Sequence, residues 1–515
     1  MQLSEVVETS RAVGAIRARG AKRELLAALL RRCAASEVEI AVAFLAGETR
    51  QRRTGVGWRS LSELLSPADL ASLTLRDVDA ALAALGALAG SGSRTARRAA
   101  LDSLMVRATA DEQDYLRRLL TGKVRQGALD ALVLEALAGA TDIPAAEVRR
   151  AAMLLGSSTE TARVALVEGR AGLQAATLHV GRPVRPMLAA SAPDVDAALD
   201  RLGTAEPVVV DAKLDGIRVQ VHKDGGDVLV VTRTLDDITD RVPEIVERVR
   251  ALPADRLVLD GEAVALRSDG RPHPFQVTAA RTASRVDVLA LRTTTPLSTY
   301  LFDVLHLDGR DLLPEAMAVR ADVLAALAPA DLLVPRRRSA DRAEVAAFLA
   351  DVVAGGHEGV VVKGPDAPYE AGRRGSAWVK VKPRHTLDLV VLAAEWGHGR
   401  RTGWLSNLHL GARADGVDDP LGAEDFVMLG KTFKGLTDEV LGWQTEQLLA
   451  REVSRSGHVV HVRPELVVEV ACDGVQSSPR YPGRVALRFA RLLRYREDKP
   501  ARESDTLATV RALLP

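Results

Sequence analysis

The stretch VVVDAKLDGIRVQVH, residues 208–222, places two apolar, β-branched runs on either side of Lys213, Asp215 and Gly216. Runs of this kind read as strands, so Lys213 ends one strand just before a tight passage into the next. A lysine at a strand end can face a cleft. An ammonium has no lone pair to offer, so such a lysine acts covalently only where burial or neighbouring cations free one. Taken alone, Lys213 reads equally well as an ordinary surface residue.

Upstream of this stretch, residues 181–186 read GRPVRP. Two prolines fix extended backbone and disfavour helix in the residues before them, which marks a domain boundary. Before it, the text is rich in Ala, Leu and Arg with apolar residues at three- and four-residue spacing, as at Leu116, Leu119, Leu120 and Val124. That period predicts a bundle of helices, broken at residues 90–93, 142–144 and 156–158 by turn-forming residues. Downstream, Ile217–His222 and Val228–Arg233 flank Asp224-Gly225-Gly226, a hairpin signal. Helical stretches near 240–251 and 340–354 alternate with further strands. After Pro383 the runs 388–393, 426–429 and 466–471 are strand-like, with one helix near 437–450, which suits a small barrel of about five strands.

The chain of 515 residues is long enough for two to four domains. Its 47% hydrophobic and 27% charged content belongs to a folded, soluble protein. With 69 basic and 68 acidic side chains, any surface for a polyanion must be local. Two cysteines, Cys33 and Cys472, supply neither a disulfide framework nor a four-cysteine zinc site. The start lacks a signal-peptide core and no run is apolar enough to span a membrane, so a cytoplasmic, membrane-free monomer is expected. Lysine occurs only ten times, at 22, 123, 213, 223, 363, 380, 382, 431, 434 and 499. In a chain whose basic charge is carried by Arg, a lysine marks specific ammonium chemistry.

Five of those lysines fall in an ordered series of motifs. Lys213-x-Asp215-Gly216-x-Arg218 comes first, then Thr232-Arg233, then LVLDGEAV with Asp260, Gly261 and Glu262. STYLFDVLHLDG carries Phe302, HEGVVVKG carries Glu358, Gly359 and Lys363, and SAWVKVKP carries Trp378, Lys380 and Lys382. RYREDK closes the series with Arg496, Asp498 and Lys499. The series resembles that of the covalent nucleotidyltransferases, which comprise DNA ligases, RNA ligases and mRNA capping enzymes. Singly, each carboxylate would read as a strand-end salt bridge and each aromatic as packing; the order is what carries the resemblance.

The resemblance implies that Lys213 accepts AMP covalently and that Phe302 stacks on the purine. It implies that Arg218 and Arg233 bind the ribose or the 5′-phosphate of a nick, a task suited to a bidentate fork. Lys380, Lys382, Arg496 and Lys499 would meet charge developing on the phosphates, and Lys363 would join the nucleotide-binding residues. Glu262 and Glu358 would hold Mg²⁺ or Mn²⁺, which takes one or two carboxylates beside phosphate oxygens, with Glu262 also reaching the ribose. Asp211 stands where many DNA ligases have a glutamate contacting the adenine amino group. Ala490, in LRFARLLRYREDK, stands where many relatives have proline.

The helical start narrows the family. RRLLTGKVRQGALDALVLEALA, residues 117–138, resembles the DNA-binding domain of replicative-type ATP-dependent DNA ligases. Arg97, Arg98, Arg117, Arg118, Lys123 and Arg125 form local basic clusters able to meet phosphates without reading sequence; solvated helix faces are the alternative. RPELVVEVACDGVQSSPRYPG, residues 463–483, resembles the ligase OB-fold, in which Arg463, Arg480 and Arg488 could meet the DNA backbone. NAD-dependent ligases carry a cysteine zinc module that two cysteines cannot supply. The expectation is therefore an all-α DNA-binding domain (1–180), an α+β nucleotidyltransferase or adenylation domain (186–384) and a C-terminal OB-fold β-barrel (385–515). It uses ATP to seal nicked double-stranded DNA in repair, replication or recombination, and hinges near 183–186 and 382–386. An RNA ligase or guanylyltransferase of the same superfamily and a non-catalytic DNA-binding protein are the other readings.

Overall fold

The computed structural model describes residues 1–514 apart from 52–53, 62–64, 91, 125, 127–129, 371–373, 384 and 415–425. Among the described residues the first third is helical, from Leu3–Ala15 to Gly169–Gln174. The apolar spacing does what the sequence predicts: Leu116 and Leu119 of Ala110–Leu120 are buried. That helix opens with a capping box, in which Thr109 Oγ1 accepts from the Glu112 amide and Glu112 Oε2 accepts from the Thr109 amide at 2.9 Å. The predicted breaks fall between Leu75–Ala87 and Ser93–Met105, before Ala145–Leu155, and between that helix and Ser158–Val167.

The segment around residues 183–186, expected as a hinge, is held from both sides. The Arg185 amide donates to Met153 O at 3.1 Å, and the Arg185 guanidinium meets Asp130 and Ser158. Toward the next region, Val184 exchanges hydrogen bonds with the Gln220 side chain at 2.8 and 3.0 Å, and the Gly181 amide donates to His222 Nδ1 at 3.1 Å. Burial pushes the His222 imidazole down to about 4, which keeps it neutral and able to accept. One apolar core runs without a break from the helices through Val184 and Met187 to Val258, Leu305 and Trp378.

The middle region is two sheets. The first has the order Leu188–Ala192, Arg374–Val381, Gly359–Lys363, Val208–Lys213, Arg336–Ser339, antiparallel except for its first pair. Val208, Val209 and Val210 are buried on both faces, which is why this strand reads as a continuous apolar run. The second, antiparallel throughout, has the order Asp227–Thr232, Ile217–Asp224, Arg256–Ala265, Leu297–Leu307, Arg310–Asp311. Leu214, Asp215 and Gly216 carry the chain from one sheet to the other. A Cβ on Gly216 would stand 2.4 Å from Ala263 O and 2.9 Å from Glu262 Cγ, so only glycine passes there.

The C-terminal third is strand-rich. Phe426–Thr432, Leu405–Arg413, His385–Trp396, Val459–Val462 and Glu452–Ser456 are successive neighbours, and Val467–Cys472 joins His385–Trp396 to Arg491–Tyr495. The long strand pairs Val467–Cys472 through residues 385–390 and Val459–Val462 through 393–395. This makes seven strands where about five were expected, and among the described residues their pairing does not close into a ring. The predicted helix is Asp438–Leu449. Among the described residues no helix is long and apolar enough to cross a membrane.

Candidate active site

Strand register assembles the site. In the first sheet Lys213 pairs with Gly359, Asp211 with both Val361 and Arg336, and Lys363 with Trp378. In the second, Arg218 pairs with Glu262. The two sheets enclose a cleft of about 1240 Å³, and Lys213, Arg218, Arg233, Glu262, Phe302 and Glu358 all line it, as do Asp211, Lys363, Lys380 and Lys382.

Lys213 is 25% exposed and forms an ion pair with Glu358, whose amide donates to Lys213 O at 3.0 Å. Lys382 Nζ binds the same Glu358 oxygen at 2.7 Å. Burial pushes the Glu358 carboxyl up, but the Lys213 and Lys382 ammoniums more than offset this and hold it down at about 2. Glu262 differs. Burial pushes it up to about 7 against the pull of Lys213 and Arg218, and among the described residues no ion pair satisfies it. Burial and the Glu358 charge likewise raise Asp215.

Arg218 is largely committed. Its Nε and Nη2 donate to Asp260 at 2.9 and 2.6 Å, and its Nη1 donates to Met187 O at 2.6 Å. Tyr369 donates to Asp260 at 2.7 Å and accepts from the Met187 amide at 3.0 Å. Arg233 is exposed at the rim of the cleft. Phe302 and Trp378 meet edge to face at 6.1 Å, and the Lys363 ammonium lies 4.9 and 4.2 Å from their ring centroids. Lys363 therefore sits beneath the aromatic floor, in the arrangement of a cation–π contact. It also binds Asp211 at 2.6 Å.

The last motif lies elsewhere. Arg496 Nη1 binds Asp388 at 2.9 Å and Lys499 binds the same oxygen at 2.8 Å, with Asp498 completing the Arg496 pairing. Neither lines the cleft. The C-terminal region sends Arg488 and Phe489 there instead: Arg488 Nη1 donates to Asp215 at 3.2 Å and its Nη2 stands 3.7 Å from Glu358. In the helical region Arg97 donates to Leu88 O at 2.5 Å and Arg98 pairs with Asp102 at 2.8 Å, while Lys123 is exposed. Arg125 is outside the described residues. Sequence reasoning missed Arg336, Tyr369 and the role of Asp260. Asp260 carried a signal, its place in LVLDGEAV, whereas Arg336 is concealed in the basic run PRRR, residues 335–338.

Residues 65–138, 186–382 and 401–499 match, in that order, the family models described as DNA ligase N terminus, ATP dependent DNA ligase domain and ATP dependent DNA ligase C terminal region. A "Probable DNA ligase" of Nocardioides sp. is 59% identical over 517 residues, 99% of each chain. The chain belongs to the ATP-dependent DNA ligase family. Another "Probable DNA ligase", of Beutenbergia cavernae, is also 59% identical, over 100% of this chain and 99% of its own. The ligase-family fold extends to a solved structure, Pmar-Lig_Pre, at 18% identity and a TM-score of 0.62, covering 96% of this chain and 99% of that one.

Proposed function

We propose that this ligase-family enzyme seals 5′-phosphate/3′-hydroxyl nicks in duplex DNA with ATP, through a lysyl-AMP on Lys213. The observation that carries the reading is Lys213 at the sheet crossing, with Glu358, Lys382 and Glu262 around it and an aromatic floor deeper in the same cleft. Lys213 Nζ leaves Glu358, gives up its proton to solvent and attacks the α-phosphate, and the bond to pyrophosphate breaks, the electron pair leaving with pyrophosphate. The AMP moves to the 5′-phosphate of the nick, freeing the lysine, and the 3′-hydroxyl then displaces AMP as the phosphodiester forms. Lys380 and Lys382 meet charge on the phosphates, where fixed cations in a cleft act more strongly than in water.

Glu262 and Glu358 suit a divalent cation. Glu262 is a carboxylate whose burial no bonded cation offsets, and Glu358 is held ionised. Mg²⁺ or Mn²⁺ is held by one or two carboxylates beside phosphate oxygens and water, which these two residues could supply. When bound, the ion neutralises phosphate charge.

The domain bounds remain 1–180, 186–384 and 385–515, with the last as an OB-fold and the protein a cytoplasmic monomer. Arg496 and Lys499, paired on Asp388, reach the phosphates when the C-terminal domain turns about 382–386. Arg97, Arg98, Lys123 and Arg125 meet the duplex backbone. Incubation with α-labelled ATP or GTP and Mg²⁺, followed by a denaturing gel, tests the core of this reading. Label from ATP alone, lost in Lys213→Ala, supports it; label from GTP points to capping chemistry, and no label points to a DNA-binding scaffold.

A further inference from the structure

One buried tyrosine beside the cleft belongs to none of the motifs. Tyr369 follows the strand Gly359–Lys363 and is 2% exposed. Its amide donates to Leu313 O at 2.8 Å, and its ring meets Trp378 edge to face at 5.8 Å. The Arg320 guanidinium lies 5.8 Å from the ring centroid, and Arg320 is itself fully buried on Asp303 and donates to Ala367 O at 3.1 Å. Backbone, neighbouring ring and buried cation thus fix where the hydroxyl stands.

The hydroxyl uses its full capacity of one donor and two acceptor positions. It donates to Asp260 Oδ2 at 2.7 Å and accepts from the Met187 amide at 3.0 Å and from Arg218 Nη2 at 3.3 Å. Arg218 closes the circuit, since its Nε and Nη2 bind Asp260 and its Nη1 donates to Met187 O. Both polar groups of the Met187 backbone are therefore taken up by the Tyr369–Arg218 pair. The circuit uses all but one of the N–H donors of the guanidinium, and the one left is on Nη1. Of the four residues in the circuit only Arg218 lines the cleft. Its guanidinium lies 5.4 Å from the Phe302 ring centroid, and Arg218 pairs across the sheet with Glu262, so the open donor serves the nucleotide. Burial and the Asp260 charge raise the Tyr369 hydroxyl well above its ordinary range, so it keeps the proton it donates. Met187 in turn ends the linker whose Arg185 is held by Met153 O, Asp130 and Ser158 of the helical region.

We propose that Tyr369 is a positioning residue for Arg218, and the point at which the seating of the helical region is read at the nucleotide. With the linker in place, the circuit through Met187 and Asp260 holds the guanidinium so that its one open donor is left to the nucleotide ribose. The inference rests on the adenylyl-transfer reading above. Tyr369 does not line the cleft, so its effect passes through Arg218 and falls on nucleotide binding, not on the chemical step.

The test measures KM and kcat for Lys213 labelling by ATP in the full chain. In Tyr369→Phe, which keeps the ring and removes the hydroxyl, KM rises roughly 10-fold, the scale of one buried hydrogen bond, with kcat within about 3-fold. In an Arg218→Ala background the same change costs less than about 2-fold, because residues that act through one network are not additive. Arg185→Ala, outside the cleft, raises KM by roughly 3-fold or more while Tyr369 is present, and not in Tyr369→Phe. An unchanged KM in Tyr369→Phe, or the same factor with and without Arg218, overturns the proposal, since a merely structural loosening would add. An Arg185→Ala KM equal to that of wild type, or raised equally with and without the Tyr369 hydroxyl, overturns it too. If Tyr369→Phe does not fold, or Arg218→Ala takes no label, Arg185→Ala still decides: a raised KM supports the proposal and an unchanged one overturns it. Absence of any ATP label in wild type would instead remove the adenylyl-transfer reading, and this inference with it.

Discussion

Replacing Glu262 by Gln should make the protein more stable at alkaline pH while disabling it. The Glu262 carboxyl, ordinarily at 4.5, is pushed by burial to about 7 despite the Lys213 and Arg218 charges. Between those values the folded chain keeps a proton that the unfolded chain has lost. Stability therefore falls as pH rises through that window, and the whole cost is present above 7. At about 1.4 kcal/mol per pH unit the cost reaches about 3 kcal/mol at pH 8 and fades below about pH 5. Gln carries no charge to bury, so Glu262→Gln should exceed wild type by up to that amount at pH 8 and match it near pH 5. For a unit of about 380 residues, with an unfolding entropy of about 2 cal/mol/K per residue, each kcal/mol moves the melting point by about 1 °C, so a gain of about 3–4 °C is expected in thermal scans with a chelator present. Added Mg²⁺ should then stabilise wild type more than the variant. A melting difference that does not change with pH, or a variant less stable than wild type at pH 8, would refute the reasoning.

Lys213→Ala should abolish covalent AMP labelling altogether, and residual label on a denaturing gel would place the nucleophile elsewhere. Glu358→Gln leaves Lys213 and Lys382 without their shared carboxylate, and labelling should fall by roughly 100-fold or more, the scale of losing a key electrostatic contact; a fall under about 3-fold would exclude Glu358 from adenylyl transfer. The pair Arg496→Ala/Lys499→Ala, outside the cleft in this structure, should still reduce labelling by at least about 10-fold if the C-terminal domain turns, and solution scattering should then show more than one envelope with and without nicked DNA. Lys123→Ala should lower the slope of log affinity for nicked DNA against log salt by about 1, whereas an unchanged slope would remove Lys123 from the duplex interface.

The parts legible in the sequence were those where a short stretch does one job. The helical period exposed the bundle, the run of three buried valines exposed the strand before Lys213, and the motifs named twelve core site residues, of which all but Arg496 and Lys499 line one cleft. Long-range pairing was not legible. Nothing near residue 336 announces that its guanidinium meets a carboxylate 125 residues earlier, because a run of three arginines looks like a solvated edge. The motif marks Arg496 and Lys499 as phosphate ligands, yet their placement depends on how one domain sits on another, and in this structure both pair with Asp388 outside the cleft. The number of C-terminal strands was underestimated because a strand of twelve residues serves two neighbours in turn.

The uninterrupted apolar core between the helices and the first sheet has a bearing on how the chain can be divided. A cut at residue 186 would bare Val184, Met187, Val258 and Leu305 to water at once, each costing on the order of 1.5–3 kcal/mol if fully exposed. Folding cooperativity should accordingly cross the first boundary drawn in the sequence, so that helices and nucleotide cleft melt, and resist proteases, as one body. The C-terminal third has its own core and should be separable, which makes residues 382–386 the natural seam for dissection or circular permutation.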